Sequence, residues 1–276
     1  MNADKIVIKV GTSTLTYPNG KLNLQRVECL CKVISDLKNS GKQIVLVSSG
    51  AVGVGVGKLG LASRPQSTKE RQALAAIGQC ELMFIYSKFF GSYNCNVAQL
   101  LLTQDIISNE ISKNNVINTF QSLFDMDVLP IVNENDSVST DEIKGLNIGD
   151  NDRLSAIVAN IIGADLLIIL TDTDGLYDSN PHIHKDAKRI SVVRKIDDSI
   201  RNMADGHTYN RGTGGMISKI YAAEIATNSG IDCYIINGNS PSNLYKVFEG
   251  DIGTLFISNK GVLIWVDLKL WVKVQN

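Results

Sequence analysis

Three glycine-bearing turns carry most of the side chains able to do chemistry. The first is Lys9-Val10-Gly11-Thr12-Ser13. The second is Ser48-Ser49-Gly50-Ala51-Val52-Gly53. The third is Gly212-Thr213-Gly214-Gly215-Met216, with Lys219 one helical turn further on. Glycine lets the backbone approach a ligand closely, and free N–H groups at a helix start attract anions. One such turn is explained by the tight strand-to-helix connection it makes. Three of them, each beside Ser or Thr and two with a lysine, point to a polyphosphate or a dianion. Carboxylates form the complementary set. Asp136 sits in Asn133-Glu134-Asn135-Asp136, Asp152 closes Asp150-Asn151-Asp152, and Asp172 and Asp174 follow an apolar run. Asp and Asn also cap helices and make turns, which accounts for Asp174 in Thr-Asp-Gly. Around Asp136 and Asp152 the density of polar residues exceeds what capping requires. Separated lysines, glycine turns and aspartates are the parts of phosphoryl transfer, which needs positioning and charge neutralisation more than a strong base.

Other chemistries find less support. No GxxxxGK[ST] run exists, so the chain is not a P-loop protein. Gly55-Val56-Gly57-Lys58-Leu59-Gly60 matches GxGxxG but starts several residues after its strand, with no acidic residue near twenty positions on, so no dinucleotide site is expected there. No Ser/His/Asp or Cys/His set is evident, which argues against a hydrolase. His182 and His184 lack a third metal ligand, His207 is assigned no role, and no direct protein ligand to a metal is expected.

The elements that must position these residues alternate along the chain. β-Branched and apolar runs at Lys5–Val10, Gln43–Ser48, Asn96–Leu102, Val128–Val132, Leu166–Leu170 and Asp232–Ile236 read as strands, several of them buried on both faces. Helices are expected over 24–37, from a Ser67-Thr68-Lys69-Glu70 capping box to about residue 90, over 153–163 and over 216–229. This alternation predicts an α/β three-layer αβα sandwich with a mostly parallel central sheet. The polar stretch 134–152 is too long for an idle connection and is a candidate binding loop. With 276 residues, 44% hydrophobic and 20% charged, the chain is neither disordered nor a coiled coil, and its net charge of −1 makes nucleic acid an unexpected partner. Charged or polar residues interrupt the apolar runs (Asn160 and Asp165; Asp267 and Lys269), so no membrane span is expected. The first residues have no signal-peptide pattern, and five scattered cysteines form no CxxC pair, so a cytoplasmic location is expected.

The motifs IVIKVGTSTLT at 6–16, IVLVSSGAVGVG at 44–55, PIVNENDSV at 130–138, IGDND at 148–152, ILTDTDGLY at 169–177 and GTGGMISK at 212–219 occur in this order. In them the chain resembles the amino-acid kinase superfamily and, within it, the glutamate 5-kinase family. The resemblance implies the amino-acid kinase fold over residues 1–256, with residues 1–165 as a substrate-binding lobe and 166–256 as a nucleotide-binding lobe. It implies transfer of phosphate from ATP, with Mg²⁺, to the γ-carboxylate of L-glutamate, the first step of proline biosynthesis. It assigns catalysis to Lys9, Lys219 and Asp152. It assigns glutamate binding to Ser49, Gly50, Asp136 and Asn151, and nucleotide binding to Lys9, Gly11, Thr12, Thr171, Asp172, Thr213, Gly214, Gly215, Met216, Ile217, Ser218 and Lys219. A homodimer or homotetramer and a functional link to glutamyl-phosphate reductase are further implications.

Elementary chemistry agrees with this assignment. The nucleophile would be a carboxylate, ionised at pH 7 because its ordinary pKa is about 4, so no general base is required. Two lysines and backbone N–H groups near Gly11 and Gly50 would offset its repulsion by phosphate. An aspartate between the lysines would keep both protonated and fixed. The neighbouring alternatives are kinases of the same superfamily acting on acetylglutamate, aspartate, carbamate or UMP, and a non-catalytic nucleotide or amino-acid sensor. Asp136 favours a substrate with a free ammonium group, and the intact lysines and Asp152 argue against a sensor. Ser258–Asn276 departs from the family's usual ending, and no PUA domain is expected. Its Trp265, Leu268, Leu270 and Trp271 are expected to pack on the sheet or on another subunit.

Overall fold

In the strand Lys5–Val10 (β1), every residue after the first is buried, as in a strand covered on both faces. The computed structural model describes residues 3–17, 19–103, 109–138, 151–181, 183–205, 215–250 and 252–258. After β1 come helices α1 (Thr12–Leu15) and α2 (Leu24–Asn39), strand β2 (Gln43–Ser48), helices α3 (Ala51–Leu59) and α4 (Thr68–Ser92), and strand β3 (Val97–Leu102). Then follow α5 (Glu110–Asp125), β4 (Leu129–Glu134), α6 (Asn151–Ile162), β5 (Leu166–Thr171), β6 (Val192–Val193), α7 (Asp198–Asp205), α8 (Met216–Asn228), β7 (Asp232–Asn237), α9 (Asn243–Glu249) and β8 (Thr254–Phe256).

The strands form one sheet in the order β3-β4-β2-β1-β5-β7-β8-β6. All neighbours are parallel except β7 and β8, which run antiparallel. The chain builds β2 on one side of β1 and later returns to lay β5 on the other. The strand order therefore reverses at β1, and ligands of open α/β sheets bind beyond the carboxyl ends of strands at such a reversal. Lys9 and Gly11 stand there.

Side-chain alternation sorts β1 between two cores. Ile6, Ile8 and Val10 join α2, α3, α4 and α9 in one core, through Val27, Leu30, Val54, Leu82, Tyr86, Phe90 and Leu244. Val7 joins α5, α6 and α8 in the other, through Phe120, Ala156, Ala159, Ile220 and Ala223. Lys9, two positions from Val7, shares that second face and so lies beneath α6 and α8.

The αβα architecture and the six longer strands follow the sequence pattern, with ends shifted by a residue or two. Helices α3, α5, α7 and α9 and the short strands β6 and β8 were not expected. Ser67 does stand at the N-terminus of α4 but makes no side-chain cap bond, so the capping box is not formed. The Gly55–Gly60 run is not a phosphate loop. It lies on α3 and its end, and a Cβ at Gly55 would fall 2.1 Å from the Leu74 carbonyl oxygen of α4. A Cβ at Gly78 would fall 1.8 Å from the Ala51 carbonyl oxygen of α3. These glycines let two helix backbones touch. Residues 139–150, which include most of the polar loop with Asp150, and the tail 259–276 lie outside the described residues.

Candidate active site

Three elements remote in sequence meet on one carboxylate. β1 delivers Lys9 from the sheet. The first turn of α6 delivers Asp152, where an acidic side chain also complements the helix dipole. The first turn of α8 delivers Ser218 and Lys219. Lys9 Nζ lies 2.6 Å from Asp152 Oδ1, and Lys219 Nζ lies 3.0 Å from Asp152 Oδ2. The Ser218 hydroxyl donates to Asp152 Oδ2 at 2.7 Å, with the Gly215 carbonyl an alternative acceptor at 2.9 Å. Asp152 has no solvent exposure, and Lys9 and Lys219 are 5% and 8% exposed. Burial alone would raise the Asp152 pKa. The charges of Lys9 and Lys219, with hydrogen bonds from Lys9 and Ser218, overcome it and hold the carboxyl well below the usual carboxylate range. The cluster thus carries two ammonium groups against one carboxylate.

The glycine turns surround it. Gly11 follows β1, and a Cβ there would lie 3.5 Å from Lys9 Nζ, so the turn's backbone runs beside the ammonium group. Gly50 opens α3 with φ of 98°, a left-handed conformation that favours glycine. Its missing Cβ would meet Thr12 at 3.6 Å, and the Ser49 N–H donates to the Val10 carbonyl at 3.1 Å. The first and second turns are therefore packed together. Gly215, the first described residue of the third turn, immediately precedes α8; Met216 is buried, and Ile217 and Ser218 are half-buried. Thr213 and Gly214 lie outside the described residues. Thr171 ends β5, buried, and its hydroxyl donates to exposed Asp172 at 3.2 Å.

A second polar cluster adjoins the first through α6. Asn151 Nδ2 donates to Ser49 Oγ at 2.9 Å and to Asn133 Oδ1 at 3.0 Å, with the Ser48 carbonyl at 3.3 Å. Asn133 Nδ2 donates to Gln79 Oε1 at 2.7 Å, and Ser48 Oγ pairs with the Tyr86 hydroxyl at 2.8 Å. Half-buried Asp136 lies two residues beyond β4, at the carboxyl end of the strand next to β2. The structure thus brings Lys9, Asp152, Ser218 and Lys219 together, and Ser49 with Asn151. Asn133, Gln79, Ser48 and Tyr86 were not among the expected site residues. Asn133 stands inside the NEND block and was within reach. Gln79 and Tyr86 are separated from their partners by 54 and 38 residues, and nothing in the local pattern marks them. Among the described residues no group of three His, Cys, Asp or Glu side chains forms a metal-holding set. No helix among them is long and apolar enough to cross a membrane.

The sequence model of the amino acid kinase family matches residues 4–237. Glutamate 5-kinase of Clostridium perfringens is 55% identical over 262 residues, which is 94% of this chain and 97% of that protein. Glutamate 5-kinase of Listeria monocytogenes is 49% identical over 261 residues, 94% and 95% of the two chains. Among solved structures, carbamate kinase from Giardia lamblia bound to AMP-PNP superposes with a TM-score of 0.63 at 18% identity, covering 93% of this chain and 99% of that one. An isopentenyl phosphate kinase from T. acidophilum gives 0.60 at 16% identity, with 91% and 99% covered. The structural likeness shows the shared fold, the sequence identities narrow it, and the chain belongs to the amino acid kinase family, among the glutamate 5-kinases.

Proposed function

We propose that this chain transfers the γ-phosphoryl group of ATP to the γ-carboxylate of L-glutamate, releasing ADP and L-glutamyl 5-phosphate, the first step of proline biosynthesis. The observation that carries the reading is the convergence of Lys9 and Lys219 on buried Asp152 at the point where the strand order reverses. The 55% identity to a glutamate 5-kinase over nearly the whole chain supports the choice of substrate.

The chemistry follows from charge. A γ-carboxylate oxygen, already anionic, forms a bond to the γ-phosphorus while the bond to the β–γ bridging oxygen breaks and ADP leaves. No proton has to move. The obstacle is repulsion between two anions, and two fixed ammonium groups lower it. Asp152 holds both ammonium groups in place. Backbone N–H groups of the turns at Gly11, Gly50 and Gly215 supply neutral donors around them. Thr171, Asp172 and the segment Thr213–Lys219 would hold the nucleotide, while Ser49, Gly50, Asp136 and Asn151 would hold glutamate.

Magnesium fits as part of the nucleotide substrate. Both Asp152 oxygens face lysines, whose positive charge disfavours a metal cation on that carboxylate. Mg²⁺ retains waters and binds substrate phosphates readily, and there it would neutralise phosphate charge. ADP release measured with and without L-glutamate tests the reading. Release that ignores L-glutamate, or that runs faster with acetylglutamate, overturns it. Trapping the acyl phosphate with hydroxylamine identifies the product.

A further inference from the structure

The hydrogen bonds around Asn151 have a direction that chemistry fixes. The Glu134 backbone N–H can only donate, and it donates to Asn133 Oδ1 at 2.9 Å. The Ser48 backbone carbonyl can only accept. Asn151 faces both of these acceptors, so it must turn its NH₂ group toward them. The other end of Asn133, its NH₂, is held by Gln79 Oε1 at 2.7 Å. Asn133 is thus held at both ends, its oxygen by the Glu134 N–H and its NH₂ by Gln79, and losing Gln79 would leave that NH₂ without this acceptor. One consequence remains at the end of the chain. Asn151 Oδ1 is buried and has no hydrogen-bond partner among the described residues. A buried acceptor without a donor is destabilising, and a ligand that supplies the donor removes that cost.

We propose that Gln79, on helix α4, is a positioning residue that acts through Asn133 to hold Asn151 with its amide oxygen toward the substrate, so that Asn151 selects a hydrogen-bond donor, the free α-ammonium group of the amino acid. This rests on the reading of glutamate as substrate. Asn151 is then no donor to a substrate carboxylate. With its NH₂ spent on Ser49, Asn133 and Ser48, only the acceptor is left. Ser49 Oγ accepts from Asn151, so its own hydrogen is available to a substrate carboxylate.

The test is a double-mutant cycle on the full chain, read by steady-state ADP release with L-glutamate varied at saturating ATP. Loss of one buried hydrogen bond predicts that Gln79→Leu raises KM for L-glutamate about tenfold while KM for ATP moves less than about twofold. In an Asn151→Ala background the same change is expected to raise KM for L-glutamate less than about twofold, because the residue it acts through is gone. Gln79→Glu keeps an acceptor for Asn133 Nδ2 and is expected to restore most of the loss. If Gln79→Leu does not fold, Gln79→Met, closer in length and shape, carries the same readout. Equal effects in both backgrounds overturn the proposal. So do an unchanged KM in Gln79→Leu, a parallel loss in kcat and both KM values with a lowered melting temperature, or a Gln79→Glu variant no better than Gln79→Leu. A wild-type protein whose ADP release ignores L-glutamate overturns the functional reading as well; an additive cycle in a glutamate-dependent enzyme overturns this proposal alone.

Discussion

Asp152→Asn is the sharpest perturbation the site offers. Asparagine keeps the shape and loses the charge. Its amide has one acceptor and one donor end, whereas the carboxylate offers two acceptors, to Lys9 at 2.6 Å and to Lys219 at 3.0 Å. Whichever way the amide is turned, one ammonium group meets an N–H donor at contact distance and loses its partner inside the protein. Removing one member of a buried ion pair costs about 3–5 kcal/mol, because an uncompensated charge stays behind. At roughly 2–4 °C per kcal/mol for a chain of this size, the melting temperature is expected to fall by about 10 °C. Lys219→Met acts differently. It leaves a neutral Lys9–Asp152 pair, so its stability cost is expected to be smaller, about 1–2 kcal/mol. Both variants are expected to lose catalysis, since one electrostatic donor is typically worth about 10²–10³ in kcat. Calorimetry and ADP release on the same preparations therefore separate folding from catalysis: comparable losses of kcat, unequal losses of melting temperature. A further signature is in acid. The folded Asp152 pKa lies below its unfolded value of about 3.9, so the group stabilises the fold above that pH and the contribution is lost as pH falls below about 4. Asp152→Asn should flatten that acid limb. A variant melting within about 2 °C of wild type, or melting above Lys219→Met, would refute the buried-charge argument.

Three other outcomes follow from the same coordinates. Gly78→Ala places a methyl group 1.8 Å from a backbone oxygen of α3 and is expected to destabilise by about 3 kcal/mol in thermal melts, whereas Gly91→Ala on the same helix meets nothing within 4 Å and is expected to stabilise by about 0.5–1 kcal/mol. Tyr86→Phe removes the hydroxyl paired with Ser48 and is expected to lower stability by about 1 kcal/mol. Burial pushes the Tyr86 phenol well above its ordinary value despite the Ser48 hydrogen bond, so ultraviolet titration should leave Tyr86 un-ionised at about pH 11 until the protein unfolds, and Tyr86→Phe should lower the number of silent tyrosines by one.

What the sequence disclosed depends on where each signal resides. β1 and β2 keep their expected limits because strands buried on both faces write a continuous apolar run. Lys9, Asp152 and Lys219 were legible because each sits in a motif with its own glycine or Asn-Asp context. Helix α3 was not, since Gly53, Gly55 and Gly57 carry poor helix propensity, and the reasons for the last two are the backbone of α4 at Leu74 and the Gly20 carbonyl, which no local pattern shows. β8 and β6 span three and two residues, too short for any period to register. Gln79 and Tyr86 lie on a helix that reads as core, and their polar ends acquire meaning only when folding lays them against Asn133 and Ser48. The local sequence marks the groups that converge in the candidate site; it does not mark the distant partners that folding lays against them.

The charge balance of the site explains why an aspartate stands in the middle of machinery built to attract anions. Two buried ammonium groups alone would repel each other and stand desolvated without a counter-charge. One carboxylate shared between them prevents that and leaves a surplus of a single positive charge. A second carboxylate would cancel the surplus and repel the phosphate. Because Asp152 enters from the N-terminus of α6 while its partners come from β1 and α8, it ties together three elements remote in sequence. Asn151, the neighbouring residue, is held in turn by Ser49 and Asn133 at the ends of β2 and β4. Two adjacent residues on one helical turn therefore set the distance between the two polar clusters. In the proposed reaction that distance decides whether the γ-carboxylate reaches phosphorus, so an inserted residue between Asn151 and Asp152 should abolish ADP release far more completely than either single alanine substitution.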